Sequence, residues 1–229
     1  MKWTYLSVNL CSVIVPFVFS FHPEIKFNKA FPAFIKANFI ITILFLIWDA
    51  IFTAKGIWSF NPDYTLGLNI YNLPFEELLF FICIPFSCLF TYHCSTIFLK
   101  IQWNQKAEFY FILCFSLILL LTGIIYWDKS YTAVTCISTA FLLLTIKFYF
   151  EVDWLAQLFS VYAVLLFPFF IVNGILTGTG LKEPVVLYNN TENLGIRLLT
   201  VPIEDVLYGL ELILLNIFLY QKFLRNQTK

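Results

Sequence analysis

Two pairs of adjacent carboxylates, Glu76-Glu77 and Glu204-Asp205, recur in the same setting, Pro74-Phe75-Glu76-Glu77 and Pro202-Ile203-Glu204-Asp205. Paired acids can divide proton chemistry between them. A desolvated carboxyl beside a second one keeps its proton and can donate it, while its neighbour stays ionised and stabilises positive charge or takes a proton back. Each pair also opens a long apolar run. In a first helical turn, proline forfeits no intrahelical bond, and acids meet free N–H groups and the positive end of the dipole. Either motif alone is therefore also readable as a plain helix start. The duplication argues for more, because capping takes one acceptor and not two adjacent acids. Neighbours on a helix point about 100° apart, so one acid can face the interior while the other holds a separate contact.

The elements that position these acids are set by solvent. The 229 residues are 60% hydrophobic, 20% aromatic and 12% charged, with mean hydropathy +0.83. Apolar runs fit for roughly 30 Å of hydrocarbon, about 20 residues as helix, fall near Tyr5–Phe21, Phe31–Ala54, Pro74–Leu99, Ala107–Trp127, Tyr131–Phe150, Trp154–Leu176 and Val201–Tyr220. The breaks between them hold most of the Pro, Gly, Asn and charge, as a backbone leaving lipid requires. The expected fold is all-α, a polytopic membrane helical bundle of about seven transmembrane helices. No small-x-small pattern before His22-Pro23-Glu24 marks the first run as a cleaved leader.

The layout suggests an internal repeat. In each half the second span precedes a long polar loop and then the P-x-E-(E/D) start. Two parallel three-helix repeats plus a connecting helix result, with residues 1–100 as the first repeat, 101–130 as the linker helix and 131–229 as the second repeat. The loops Lys55–Leu73 and Thr177–Thr200 could roof one cavity. Most of the 14 Lys and Arg, among them Lys26, Lys29, Lys100, Lys222 and Lys229, fall on the face that carries the C-terminus. The positive-inside bias makes that face cytoplasmic and the N-terminus external, in a cell membrane of the bacterial inner-membrane kind.

Further polar residues lie within spans. Asp49 and Asn173 occupy comparable places in the two halves, and Glu204, Tyr208 and Glu211 follow i, i+4, i+7 as one polar stripe entering the membrane. His93 reads as an interface histidine. Cys11, Cys83, Cys88, Cys94, Cys114 and Cys136 lack metal-ligand spacing and read as small apolar packers. Zero net charge with no basic run points away from nucleic acid. No metal and no cofactor are expected: Gly178-Thr179-Gly180 stands alone, no H-E-x-x-H or D-D-x-x-D occurs, and no lysine lies deep in the last span. An ion function remains open, with the outer carboxylates serving a proton or small-cation transporter or channel.

The doubled motif, the span plan and the segment Trp58-Ser59-Phe60-Asn61-Pro62-Asp63-Tyr64 before Asn72-Leu73-Pro74-Phe75-Glu76-Glu77 resemble the small integral-membrane lycopene cyclases. Their two homologous halves are separate subunits or are fused through an extra span, and this chain resembles the fused form. The resemblance implies β-ring formation at the ends of a linear C40 carotene such as lycopene or γ-carotene. It further implies no net redox change, a place in carotenoid biosynthesis beside other carotenoid enzymes, a substrate drawn from membrane lipid, and the motif acids Glu76, Glu77, Glu204 and Asp205 as catalysts. The second half departs from the pattern, with Asn173 standing where Asp49 does. Such chemistry asks for an acid, a base and a dry pocket tolerant of a cation. Aromatic faces stabilise a cation by about 0.5 to 2 kcal/mol each, and Trp58, Phe75, Phe80, Phe81 and Tyr208 are the candidates for that lining. Asp49, Asn173 and Glu211 join them as polar candidates around the substrate.

Overall fold

The computed structural model describes residues 1–99 and 101–227. Lys100 and Lys229, both used in the charge count above, lie outside the described residues. Seven α-helices among those residues follow the apolar runs: α1 (Thr4–Phe19), α2 (Phe31–Ala54), α3 (Phe75–Phe98), α4 (Gln105–Ile125), α5 (Ser130–Leu144), α6 (Leu155–Leu176) and α7 (Ile203–Gln227). The chain is an all-α membrane bundle. Among the described residues five stretches are long and apolar enough to cross a bilayer: Phe27–Ala54, Phe75–Phe98, Gln105–Ile125, Ser130–Tyr149 and Leu155–Leu176. Helix α1 is shorter at 16 residues, and α7 carries Glu204, Asp205, Glu211, Lys222 and Arg225 among its 25. One run differs from an unbroken helix. Beyond Leu144 the chain widens into a π-turn, Thr145–Tyr149, closed by the Phe150 amide on the Thr145 carbonyl at 3.2 Å.

Hydrocarbon offers no water to a freed carbonyl, so helix prolines need local compensation. Pro85 cannot bond the Phe81 carbonyl. That oxygen instead accepts from Asn38 Nδ2 at 2.8 Å and Thr42 Oγ1 at 3.1 Å, which ties α2 to α3. Pro16 likewise frees the Ser12 carbonyl, which accepts from Ser87 Oγ at 2.9 Å and ties α1 to α3. Helix α2 also packs along α7, α5 along α7 and α4 along α5. The largest apolar cluster runs through α2, α3, α6 and α7 and includes the buried Phe34, Leu89, Leu158 and Leu214. The six cysteines are free thiols.

The two long loops carry short strands: β1 (Trp58–Phe60), β2 (Asn69–Ile70), β3 (Leu73–Pro74), β4 (Val186–Tyr188), β5 (Arg197–Leu198) and β6 (Val201–Pro202). Strands β1 and β4 pair antiparallel across the loops, with Trp58 opposite Tyr188, Ser59 opposite Leu187 and Phe60 opposite Val186. Hairpin β2–β3 feeds α3 and hairpin β5–β6 feeds α7, in matching registers: Asn69 faces Pro74, and Arg197 faces Pro202. The turns match as well. Tyr71 and Leu199 are left-handed, at φ 57° and 58°, and so are Gly67 and Gly195, at 82° and 72°. Left-handed backbone suits glycine and costs a leucine energy, so both hairpins hold a shape that isolated sequence preference would not choose.

Candidate active site

The hairpins deliver each acid pair to the first turn of a helix, but no side chain caps the α3 start, whose N-cap is Pro74. The acids reach elsewhere. Glu76 Oε1 accepts from the Leu66 amide at 2.6 Å, and Glu204 Oε1 accepts from the Leu194 amide at 2.8 Å and the Thr132 hydroxyl at 2.6 Å. These are matching positions of the two loops. Asn9 Nδ2 donates to the Glu76 carbonyl at 2.8 Å, securing α1 to the same turn. Glu76 and Glu204 are 0% and 1% exposed, and the second oxygen of each is buried without a hydrogen-bond partner among the described residues. The first acid of each motif fastens a loop to a helix.

The second acid of each motif lines a cavity of about 260 Å³ between the two halves. Tyr5, early in α1, donates its hydroxyl to Glu77 Oε2. Tyr131, early in α5, donates to Asp205 Oδ1 at 2.7 Å, and Tyr188 of β4 donates to Asp205 Oδ2 at 3.0 Å. Asp49 lies beside Glu77 and takes the Tyr208 hydroxyl at 2.6 Å. That bond joins the halves, because Asp49 is on α2 and Tyr208 on α7. Three carboxyls, held by four phenols, thus border one space, and among the described residues no lysine or arginine lines it. Burial first, then the Asp205 carboxylate beside it, raises the Tyr188 phenol well above its ordinary value of 10.0, so it remains a proton donor to Asp205.

The walls are aromatic. Trp58 meets Tyr131 edge-on at 5.2 Å and Tyr208 at 6.2 Å between ring centroids, while Tyr131 and Tyr188 stack at 5.9 Å. Phe80 and Asn173 also line the cavity. Other residues singled out from the sequence lie elsewhere. Phe81 sits behind the wall, packed on Phe45 and Phe80, and Phe75 is outside the lining. Glu211 turns to α5, accepting from Ser138 Oγ at 2.9 Å and Thr139 Oγ1 at 3.2 Å. The expected stripe Glu204, Tyr208, Glu211 is therefore divided: Glu204 and Glu211 both bond α5, through Thr132 and through Ser138 and Thr139, while Tyr208 turns to Asp49 of α2. His93 lies outside the cavity lining, held by the Ile25 carbonyl at 2.9 Å and the Tyr220 hydroxyl at 3.2 Å. Sequence reasoning missed Tyr5, Tyr131 and Tyr188. Its available signal was the tyrosine near the start of the first span in each half.

A family model described as Lycopene cyclase matches residues 2–95 and 128–223, leaving out the whole of α4. Segments of the chain are also similar to three fungal proteins, each named bifunctional lycopene cyclase/phytoene synthase. The identity is 39% over 51 residues for Colletotrichum graminicola, covering 21% of this chain and 9% of the relative. It is 34% over 61 residues for Podospora anserina, covering 23% and 10%, and 35% over 51 residues for Neurospora crassa, covering 21% and 8%. The matched stretches thus span about a tenth of those relatives' length. No solved structure matches the chain.

Proposed function

Because this chain belongs to the lycopene cyclase family, we propose that it closes β-rings at the ends of a linear C40 carotene, by acid–base carbocation chemistry without net oxidation or reduction. The observation that carries this reading is the meeting of Glu77, Asp205 and Asp49 from both halves in one aromatic-walled cavity. A proton passes to the terminal alkene of an end group, the next alkene attacks the resulting tertiary cation to form the ring, and loss of a ring proton restores a neutral polyene. The reaction is an isomerisation, and of the intramolecular lyase class.

Roles follow from partners. Side-by-side carboxyls share a proton, since two like charges in contact oppose joint ionisation. Glu77 and Asp49 form that pair and supply the acid. Asp205 accepts two phenol hydrogen bonds, which favour the anion, so it stabilises the cation and takes the final proton. Trp58, Tyr131, Tyr188 and Tyr208 present π faces to the cation, and burial keeps water from trapping it as an alcohol. Glu76 and Glu204 act as positioning residues that hold the loops over the site. Asn173 lines the cavity without a carboxyl, which makes the two halves chemically unequal.

The matching hairpins, the β1–β4 pairing across the halves and the family match that skips all of α4 support two parallel repeats joined by a connecting helix. We take all seven helices as spans, with the N-terminus external and the C-terminus cytoplasmic by the charge bias. Substrate comes from the bilayer, and association with other carotenoid enzymes follows from the pathway position. Expression in cells that accumulate lycopene tests the reading: extracted pigments acquire β-ring products with the intact chain and none with Glu77→Gln. An intact, membrane-inserted chain that leaves lycopene uncyclised overturns it.

A further inference from the structure

A linear C40 polyene does not fit in about 260 Å³, below the roughly 300–1,000 Å³ of pockets for drug-sized ligands. One end group fits, and the remaining chain must leave by some path. A second, almost wholly apolar space of about 650 Å³ lies between α1 and α6. Ser12, Pro168 and Val172 line both spaces, so the groove adjoins the acid-bearing cavity.

The other half shows why the groove is open on this side. Tyr5 and Tyr131 hold the equivalent acids, which places Ser7 and Cys11 of α1 in register with Ala133 and Ile137 of α5. On α5 that face is covered by α4 at Gly123, where a Cβ would stand 2.6 Å from Ile137 Cγ1 and 3.2 Å from the Ala133 carbonyl. Among the described residues no helix covers Ser7 and Cys11, which line the groove instead. Helices α1 and α6 touch only sparsely, and each carries a proline, Pro16 and Pro168, at the cavity.

We infer that the groove between α1 and α6 is a lateral portal that holds the polyene chain of the substrate while its end group lies among Glu77, Asp49 and Asp205. The occupant is the methyl-branched conjugated hydrocarbon chain of the carotene, and not a polar ligand, because among the described residues the groove is almost wholly apolar and presents no charged side chain. This assignment rests on the proposed cyclase function. Entry from the side also spares the polyene a passage through water.

A benzophenone amino acid placed at Ile171, on the groove, and in a second variant at Ile124, on α4, tests the portal in lycopene-containing membranes. Both positions are exposed. Irradiation followed by mass spectrometry is expected to yield a carotene adduct at least tenfold more abundant at 171 than at 124. Ser7→Trp is expected to lower conversion of lycopene at least tenfold. Equal labelling at both positions, adducts with phospholipid alone, or cross-links to a second copy alone would overturn the portal. If the intact chain forms rings without an adduct at 171, the portal fails and the cyclase stands. A selective adduct without ring formation has the opposite meaning.

Discussion

Replacement of Asp205 by Asn is the sharpest test of which acid in each motif works. The amide keeps nearly the same shape: its oxygen can still accept from Tyr131, now 2.7 Å from Oδ1, and its NH₂ can donate to the Tyr188 oxygen, now 3.0 Å from Oδ2. Exchanging two charge-assisted bonds, each about 1.5–3 kcal/mol, for neutral ones of about 0.5–1.5 removes about 2.5 kcal/mol of interaction at mid-range, partly regained because no charge is then buried. Proton transfer has no such substitute. Loss of an acid–base group costs about 10²–10⁴ in rate, which is about 2.7–5.4 kcal/mol of barrier at 1.36 kcal/mol per tenfold. The companion variant Glu204→Gln keeps its Oε1 bonds to Leu194 and Thr132 and buries an unpaired NH₂ where the partnerless Oε2 now lies. It should lose about 1–3 kcal/mol of stability while the folded fraction turns over within about fivefold of the parent, a change under 1 kcal/mol of barrier. Initial rates of lycopene conversion in isolated membranes, normalised to folded protein by thermal unfolding in detergent, separate the two effects. A folded Asp205→Asn protein within fivefold of the parent rate would refute the assignment, as would Glu204→Gln falling a hundredfold without loss of stability.

Three further outcomes follow from the packing. Asn38→Leu deprives the Phe81 carbonyl of its 2.8 Å donor and should destabilise the bundle by about 1–3 kcal/mol, seen as a lower unfolding midpoint; an unchanged midpoint would mean that Thr42 alone suffices. Gly123→Ala drives a methyl against Ile137 at 2.6 Å and should cost about 1–3 kcal/mol, with Ile137→Ala in the same chain restoring part of it. The Tyr188 phenol, raised above 10.0, should resist ionisation in alkaline titration followed by ultraviolet absorbance. Its contribution to stability is complete below pH 10 and is lost as pH rises through the higher folded value; a Tyr188→Phe protein with the same alkaline stability profile would contradict this.

Much of the scaffold was legible because lipid leaves the chain few options. Long apolar runs must form helices, and breaks rich in polar residues must lie outside; the ends of α2, α3 and α6 fall close to the expected bounds. The loops were also readable as a roof, and Trp58 and Tyr188 do border the cavity. The π-turn at Thr145–Tyr149 was not legible, since its residues carry the same apolar pattern as regular helix. Nor was the split of the polar stripe. Spacing by i, i+4, i+7 places Glu204, Tyr208 and Glu211 near one face, but which neighbour each meets depends on helices distant in sequence.

By itself the sequence determined the solvent, the helices and the doubled acid motif, all of which depend on composition and local spacing. The tertiary structure alone decided which acid of each pair faces the cavity. Adjacent residues point about 100° apart on a helix, so one member of a pair must turn away once the other turns in, and nothing within Glu76-Glu77 or Glu204-Asp205 chooses between them. The choice is made from outside the motif. Loop amides at Leu66 and Leu194 take the first acids, while Tyr5, Tyr131 and Tyr188 hold the second ones toward the shared space.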